Sequence, residues 1–268
     1  MSTAATTQKP VDWKNYEDFA TSDIATNRLP STDALAGKHV LITLENGGKL
    51  DFFCTKKHAL TWTEAGSASE QWYEAIMVSP DVYFVDVTFT MRPKEALTLI
   101  VNLKTGRVLS IRSIVRDEGT YQGEPRVAQE FVTGTLDGVN ISPASFKPAI
   151  TRDLIGLREV STYGPGHTYE HIYLNAERYC WQCLVGVQRG QGDVDMASYY
   201  KFDDELYIFT FREFIIPVAS VFFFNFADRR STGKFLGVTS EGAIENRPAG
   251  AFMEKVSMTY YHKDAEPL

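Results

Sequence analysis

Glu213 ends a run, Tyr207-Ile208-Phe209-Thr210-Phe211-Arg212-Glu213, that reads as a β-strand: β-branched and aromatic residues fill it and Pro217 closes it. Side chains alternate between the two faces of a strand, so Tyr207, Phe209, Phe211 and Glu213 point the same way. Three aromatic rings and a carboxylate on one face make a proton-transfer site if that face is the inside of a barrel, because desolvation disfavours the charged carboxylate and raises its pKa. The structural alternative is an edge strand, or Glu213 paired with Arg212 or another cation at a barrel mouth.

Other groups could join it. Tyr163 and Tyr169 flank a glycine-containing turn, Ser161 and His171 lie just outside them, and Trp181 and Arg189 follow. With Glu213 as acid or base, Tyr163 and Tyr169 as phenol donors, His171 as an imidazole and Arg189 as a fixed cation, such a set moves protons and steadies an oxyanion without a cofactor. Lyase, dehydratase or isomerase chemistry on a small conjugated or phenolic molecule fits. Ser161, Tyr169, Trp181, Tyr207, Phe209 and Phe211 are the expected substrate contacts. Each group has a structural role open to it as well: Tyr163 as a hairpin cap, Tyr169 and Tyr207 as core rings, His171 as a hydrogen-bonded interior residue.

No metal or cofactor is expected. Cys180 and Cys183 form the one CxxC motif, without a helix start or a second ligand pair, and read as two cysteines on a strand. His167 and His171 are the closest pair of histidines, in a segment of strand character. No phosphate loop, dinucleotide fingerprint, serine nucleophile elbow or HExxH occurs. The net charge of −7 comes without any Lys/Arg cluster, which argues against nucleic acid. The most apolar stretch, 214–226, is shorter than the ~20 residues needed to cross a bilayer. The N-terminus lacks the pattern of a secretory signal, so a reducing, cytoplasmic setting is expected.

The elements that must position these residues are short strands. Residues 1–34 read as an N-terminal arm with a frayed tip and a short helix near Trp13–Ala20. From Leu35 an up-and-down meander begins, its first hairpin marked by Asn46-Gly47-Gly48. Residues 116–153 break the rhythm with Gly, Pro and charge and read as a connection. The pattern then restarts: Leu154-Ile155-Gly156 follows Leu35-Ala36-Gly37 by 119 positions, as Trp181 follows Trp62, and Tyr207–Glu213 follows Tyr83–Phe89 by 124. An internal duplication is the economical explanation. It predicts an all-β chain of two tandem antiparallel barrels, 35–115 and 154–268, behind a short helical arm.

The copies differ in character. Phe89 stands where the second unit has Glu213, Leu44 where it has Tyr163, Leu50 where it has Tyr169 and Phe52 where it has His171. Titratable groups therefore collect in the second unit, which is expected to carry the pocket, although an apolar ligand in the first is a rival reading. The run Phe222-Phe223-Phe224 with Phe226 is a candidate surface for barrel packing or for a homodimer.

The segments Tyr169–Asn175, Tyr179–Gly186, Tyr207–Pro217 and Gly233–Gly237 resemble the C-terminal domain of the molybdenum cofactor biosynthesis protein F (MoaF-like) family, and Leu35–Ile114 resembles its N-terminal domain. The resemblance implies tandem calycin, or lipocalin-like, barrels. More distantly, Tyr163, Gly166, Tyr169 and Glu170, with Tyr207-Phe209-Phe211-Glu213, are similar to the hairpin and the acidic strand of phenolic acid decarboxylases, with Arg189 near the position of their arginine. The paired hairpin tyrosines of those enzymes are Ser161 and Tyr163 here. The expected function is a cofactor-free acid/base lyase or isomerase of decarboxylase, dehydratase or cyclase type acting on a small secondary metabolite. The alternative is a non-catalytic protein that binds an apolar or pterin-like molecule.

Overall fold

A computed structural model describes residues 15–19 and 22–268. The expected N-terminal tip, with Trp13 and Ala20, lies outside the described residues; within the arm, α1 (Tyr16–Phe19) and a 3-10 turn (Ser22–Ala25) are present. Eight strands then form the first barrel: β1 (His39–Leu44), β2 (Lys49–Lys56), β3 (Ala59–Glu64), β4 (Ser67–Ser79), β5 (Val82–Thr88), β6 (Glu95–Asn102), β7 (Arg107–Val115) and β8 (Val127–Leu136). After the two-residue β9 (Ala149–Ile150), the second barrel runs through β10 (Leu157–Gly164), β11 (His167–Tyr173), β12 (Arg178–Val185), β13 (Gly192–Asp203), β14 (Leu206–Arg212), β15 (Val218–Asn225), β16 (Arg230–Val238) and β17 (Ile244–Met258). Within each barrel consecutive strands pair antiparallel; β1–β8 closes the first barrel, β10–β17 and β12–β13 complete the second, and β9 adds to β13.

The all-β duplication thus stands, with one correction to its boundaries. The first barrel continues past residue 115: β8 lies inside the stretch expected to be a connection and pairs along its whole length with β7, from Arg107↔Thr135 to Val115↔Val127. Polar residues on both faces, Gln129 on the outer and Glu130 on the inner, together with Gly134, mask the alternation. That glycine is required by packing, since a Cβ there would sit 2.8 Å from the Thr43 carbonyl oxygen of β1.

Strands β5, β6, β14 and β15 are apolar on both faces because each is buried on both. One face fills its own barrel. The other packs barrel against barrel, with Ile76, Phe84, Ile100 and Leu109 of the first meeting Phe202, Ile208, Val221 and Phe223 of the second. Strand alternation therefore divides the phenylalanine run: Phe222, Phe224 and Phe226 point into the second barrel and only Phe223 lies in the seam. None of these four is exposed for a homodimer. Among the described residues no helix is long and apolar enough to cross a membrane.

The N-terminal segment closes the second barrel at the end where β10 turns into β11. Asn27 donates from its backbone to Tyr163 O and from Nδ2 to Thr162 O, both at 2.9 Å, and Ile24 joins the barrel's core. Gly164 makes room for it: a Cβ there would lie 2.5 Å from the Asp23 carbonyl oxygen. Gly164→Ala is expected to lift residues 23–28 at a cost of about 1–3 kcal/mol. Hydrogen exchange would report it as lost protection at Asn27 with the strands unchanged; retained protection would mean that the segment does not depend on the space left by Gly164.

Candidate functional site

Under Ile24 the second barrel holds a cavity of about 40 Å³ lined by Tyr163, Tyr169, His171, Tyr179, Trp181, Gln188, Phe211, Glu213 and Phe235. This is room for a water or two and no more. Most wall residues arrive by strand alternation: Tyr163 from β10, Tyr169 and His171 from β11, Tyr179 and Trp181 from β12, Phe211 from β14 and Phe235 from β16, with Glu213 one residue past the end of β14 and Gln188 in the β12–β13 turn. Glu213 is buried at 4% exposure, and its backbone N–H donates to Val218 O at 3.0 Å, so the main chain holds the strand end. Tyr169 donates to Gln188 Oε1 at 3.0 Å, and Trp181 donates from Nε1 to Asp195 Oδ2 at 3.2 Å.

Behind His171 lies a carboxylate that the sequence reading missed. Glu159 of β10 has no exposed surface, and its oxygens accept from Ser161 Oγ at 3.1 and 3.2 Å and from the Tyr173 hydroxyl at 3.2 Å. His171 Nδ1 stands 2.8 Å from Glu159 Oε1, off the line of a good hydrogen bond. A carboxylate on Nδ1 leaves Nε2 as the nitrogen available to a ligand. The duplication could have exposed this residue, since Glu159 follows Val40, an interior residue of the first barrel, by the same 119 positions.

Burial pushes the phenols up: Tyr163 by desolvation and then the charge of Glu159; Tyr179 by desolvation and then Asp195 and Glu213; Tyr169 by desolvation, the Cys183 thiol and then Glu213. All three stay protonated near neutral pH and act as neutral hydrogen-bond donors.

Several expected contacts lie elsewhere. Arg189 is exposed at the tip of the β12–β13 turn, where its N–H donates to Gly186 O at 3.1 Å; the loop turns Gln188 inward in its place. Ser161 is bound to Glu159 and does not line the cavity. Tyr207 sits at the opposite end of β14, donating to Asp153 Oδ2 at 3.0 Å, and Phe209 is packed solid among Tyr173, Tyr179, Tyr199 and Phe224. Cys183 faces the core of the second barrel while Cys180 is half-buried on the other side of β12, as residues three apart on a strand must be.

At the equivalent end of the first barrel a wider cup of about 270 Å³ has Leu44, Leu50, Trp62 and Phe89 in its wall. Its charges sit at the rim and are paired, Arg92 with Glu64 at 3.0 Å and Arg112 with Glu95 at 2.7 Å. Inside, Val40, Ile42, Phe52, Cys54 and Leu60 stand where the second barrel has Glu159, Ser161, His171, Tyr173 and Tyr179.

Two family models match the chain in agreement with this division: the MoaF N-terminal domain over residues 11–117 and the MoaF C-terminal domain over residues 148–259. Protein MoaF of Klebsiella aerogenes is 30% identical over 249 residues, which is 88% of this chain and 92% of that protein. Among solved structures, a candidate beta-lactamase of Burkholderia vietnamiensis aligns at 16% identity over 40% of this chain and all of its own, with a TM-score of 0.35. The DNA polymerase III beta chain of Streptococcus pneumoniae TIGR4 aligns at 8% identity over 87% of this chain and 82% of its own, with a TM-score of 0.14. Neither structural likeness is close enough to inform the site.

Proposed function

The chain belongs to the MoaF family, and from that premise we propose that its second barrel is a cofactor-free acid/base site of lyase or isomerase type acting on a small, neutral, conjugated or phenolic molecule. The observation that carries this reading is the grouping of Glu213 and the Glu159-backed His171 around one cavity, at positions where the first barrel has Phe89, Val40 and Phe52. In this scheme Glu213 takes a proton from the bound molecule, and the protonated hydroxyls of Tyr163 and Tyr169 donate to the oxygen on which charge develops. The proton taken up by Glu213 returns to the reacting molecule through His171 Nε2, so both groups end in the state in which they began.

Neutrality of the substrate follows from the wall. The cavity lining contains no Lys or Arg, so an anionic substrate would find no fixed cation in the wall. With Arg189 at the surface, the cavity offers no fixed cation to a substrate carboxylate, and internal proton transfer or dehydration is a better fit than decarboxylation. Entry requires the Ile24 segment to move, because the closed cavity is smaller than any aromatic ring.

The test is incubation of neutral phenols and conjugated carbonyls with the wild type in D2O, following product and solvent-deuterium incorporation. His171→Phe, which installs the ring found in the first barrel, is expected to lower the rate about 10²-fold. Binding with neither product nor deuterium uptake in the wild type would refute the enzyme reading. It would favour a ligand-binding role, for which the roomier 270 Å³ cup of the first barrel is the better-suited site.

A further inference from the structure

Two arginines, Arg116 and Arg212, line the crevice between the barrels, with Arg178 nearby on the second, and among the described residues none of them has a carboxylate partner. Antiparallel register sets Arg178 of β12 beside Met196 of β13, and Met196 beside Arg212 of β14, so two guanidinium groups flank one methionine on the outer face of the second barrel. Arg116, just beyond β7 of the first barrel, lines the same crevice as Arg212, together with Gln129, Phe131, Met196 and Ser198. The crevice measures about 290 Å³, at the small end of the range typical of ligand sites, and such sites favour domain boundaries.

Among the described residues, the hydrogen-bond partners of these guanidinium groups are neutral. Arg212 donates to Gln129 Oε1 and Ser198 Oγ at 3.2 Å and to Ala197 O at 3.3 Å. Arg116 donates to Pro125 O, while its buried Nε has no partner; Arg178 donates to Glu177 O at 3.2 Å. Among the described residues, none of the three has a carboxylate within ion-pair distance. The acid that lines the crevice, Glu124, is exposed. Burial, and then the neighbouring charge of Arg178 against the attraction of Glu124, hold the Arg212 guanidinium below its ordinary pKa, as expected of a cation that is desolvated and under-neutralised.

We infer that this inter-barrel crevice is a binding site for a small oxyanion ligand, a phosphate or carboxylate group held by Arg212 and Arg116 with its apolar portion on Phe131 and Met196. In a chain of net charge −7 only a local concentration of arginines can draw an anion, and at physiological salt charges beyond about 8 Å are largely screened, so the crevice sets the field a ligand meets. Arginine's planar fork suits both oxyanions. The site is independent of the chemistry proposed inside the second barrel. It lies, however, on the opposite face of the strand that leads to Glu213.

Isothermal titration with inorganic phosphate, pyrophosphate and citrate, at ionic strength fixed with sodium chloride, tests it on the full chain. Saturable binding is expected, with Arg212→Gln and Arg116→Gln each weakening it at least about 10-fold, the cost of a lost charge-assisted hydrogen bond. Glu124→Gln should tighten it, and this exposed position carries no folding risk should Arg212→Gln fail to fold. Preference for the phosphates or for citrate identifies the oxyanion. Absence of saturable binding in the wild type, or affinities unmoved by both Arg116→Gln and Glu124→Gln, overturns the assignment.

Discussion

Glu213→Gln is expected to lower turnover about 10²–10⁴-fold, the range lost with a general acid or base, while leaving the melting temperature within about 4 °C of wild type. The amide keeps the volume of the carboxyl group, and the strand end is secured by the backbone bond from Glu213 N–H to Val218 O, which the substitution does not touch. What it removes is the capacity to take a proton and the negative charge felt by Tyr169 and Tyr179. The pH–rate profile separates the two losses. A missing proton acceptor abolishes the limb belonging to Glu213 while the rest of the profile persists, whereas a merely altered field shifts the profile and keeps its shape. A fall in melting temperature of 10 °C or more with turnover preserved would make Glu213 a structural residue.

The duplication was legible because it preserves position: turns, tryptophans and the Tyr207 strand recur at offsets of 119 and 124. What the sequence conceals is which side of a polar strand faces inward. In Leu157-Arg158-Glu159-Val160-Ser161 the charged residues are adjacent, and nothing local says that Glu159 is interior and Arg158, paired with Glu170, is half-buried outside. The register against Val40 resolves it. Arg189 illustrates the opposite case, since a turn of a few residues sets orientation by its own geometry and the strand alternation that located Glu213 does not extend through it. Strand β8 was obscured for a third reason: its outer face meets the polar end of the seam, where Gln129 donates to Ser220 O at 2.8 Å, so it lacks the apolar run of β5 or β6.

Lys234→Met is expected to destabilise the protein by about 3–5 kcal/mol, lowering the melting temperature by roughly 6–20 °C. Lys234 is 2% exposed, in the middle of β16, and its ammonium reaches across the seam to Asp86 of β5, whose other oxygen accepts from Asn246 Nδ2 at 2.7 Å. Methionine fills much the same space, so the loss arises from Asp86, left as a buried carboxylate with one neutral donor. Burial already holds the Lys234 ammonium below its ordinary pKa despite the attraction of Asp86, so the pair's attraction works against a desolvation cost on both partners. Removing both charges should then restore most of what removing one loses: Lys234→Met with Asp86→Leu is expected to melt within a few degrees of wild type. Thermal denaturation of the two single variants and the double variant closes the cycle. If the double variant is as unstable as the sum of the singles, the ion pair is not what couples these residues. If it recovers, the apolar seam around Phe84, Ile208 and Phe223 carries the stability of the barrel-barrel contact, and the Lys234–Asp86 pair fixes how the two barrels are set against each other.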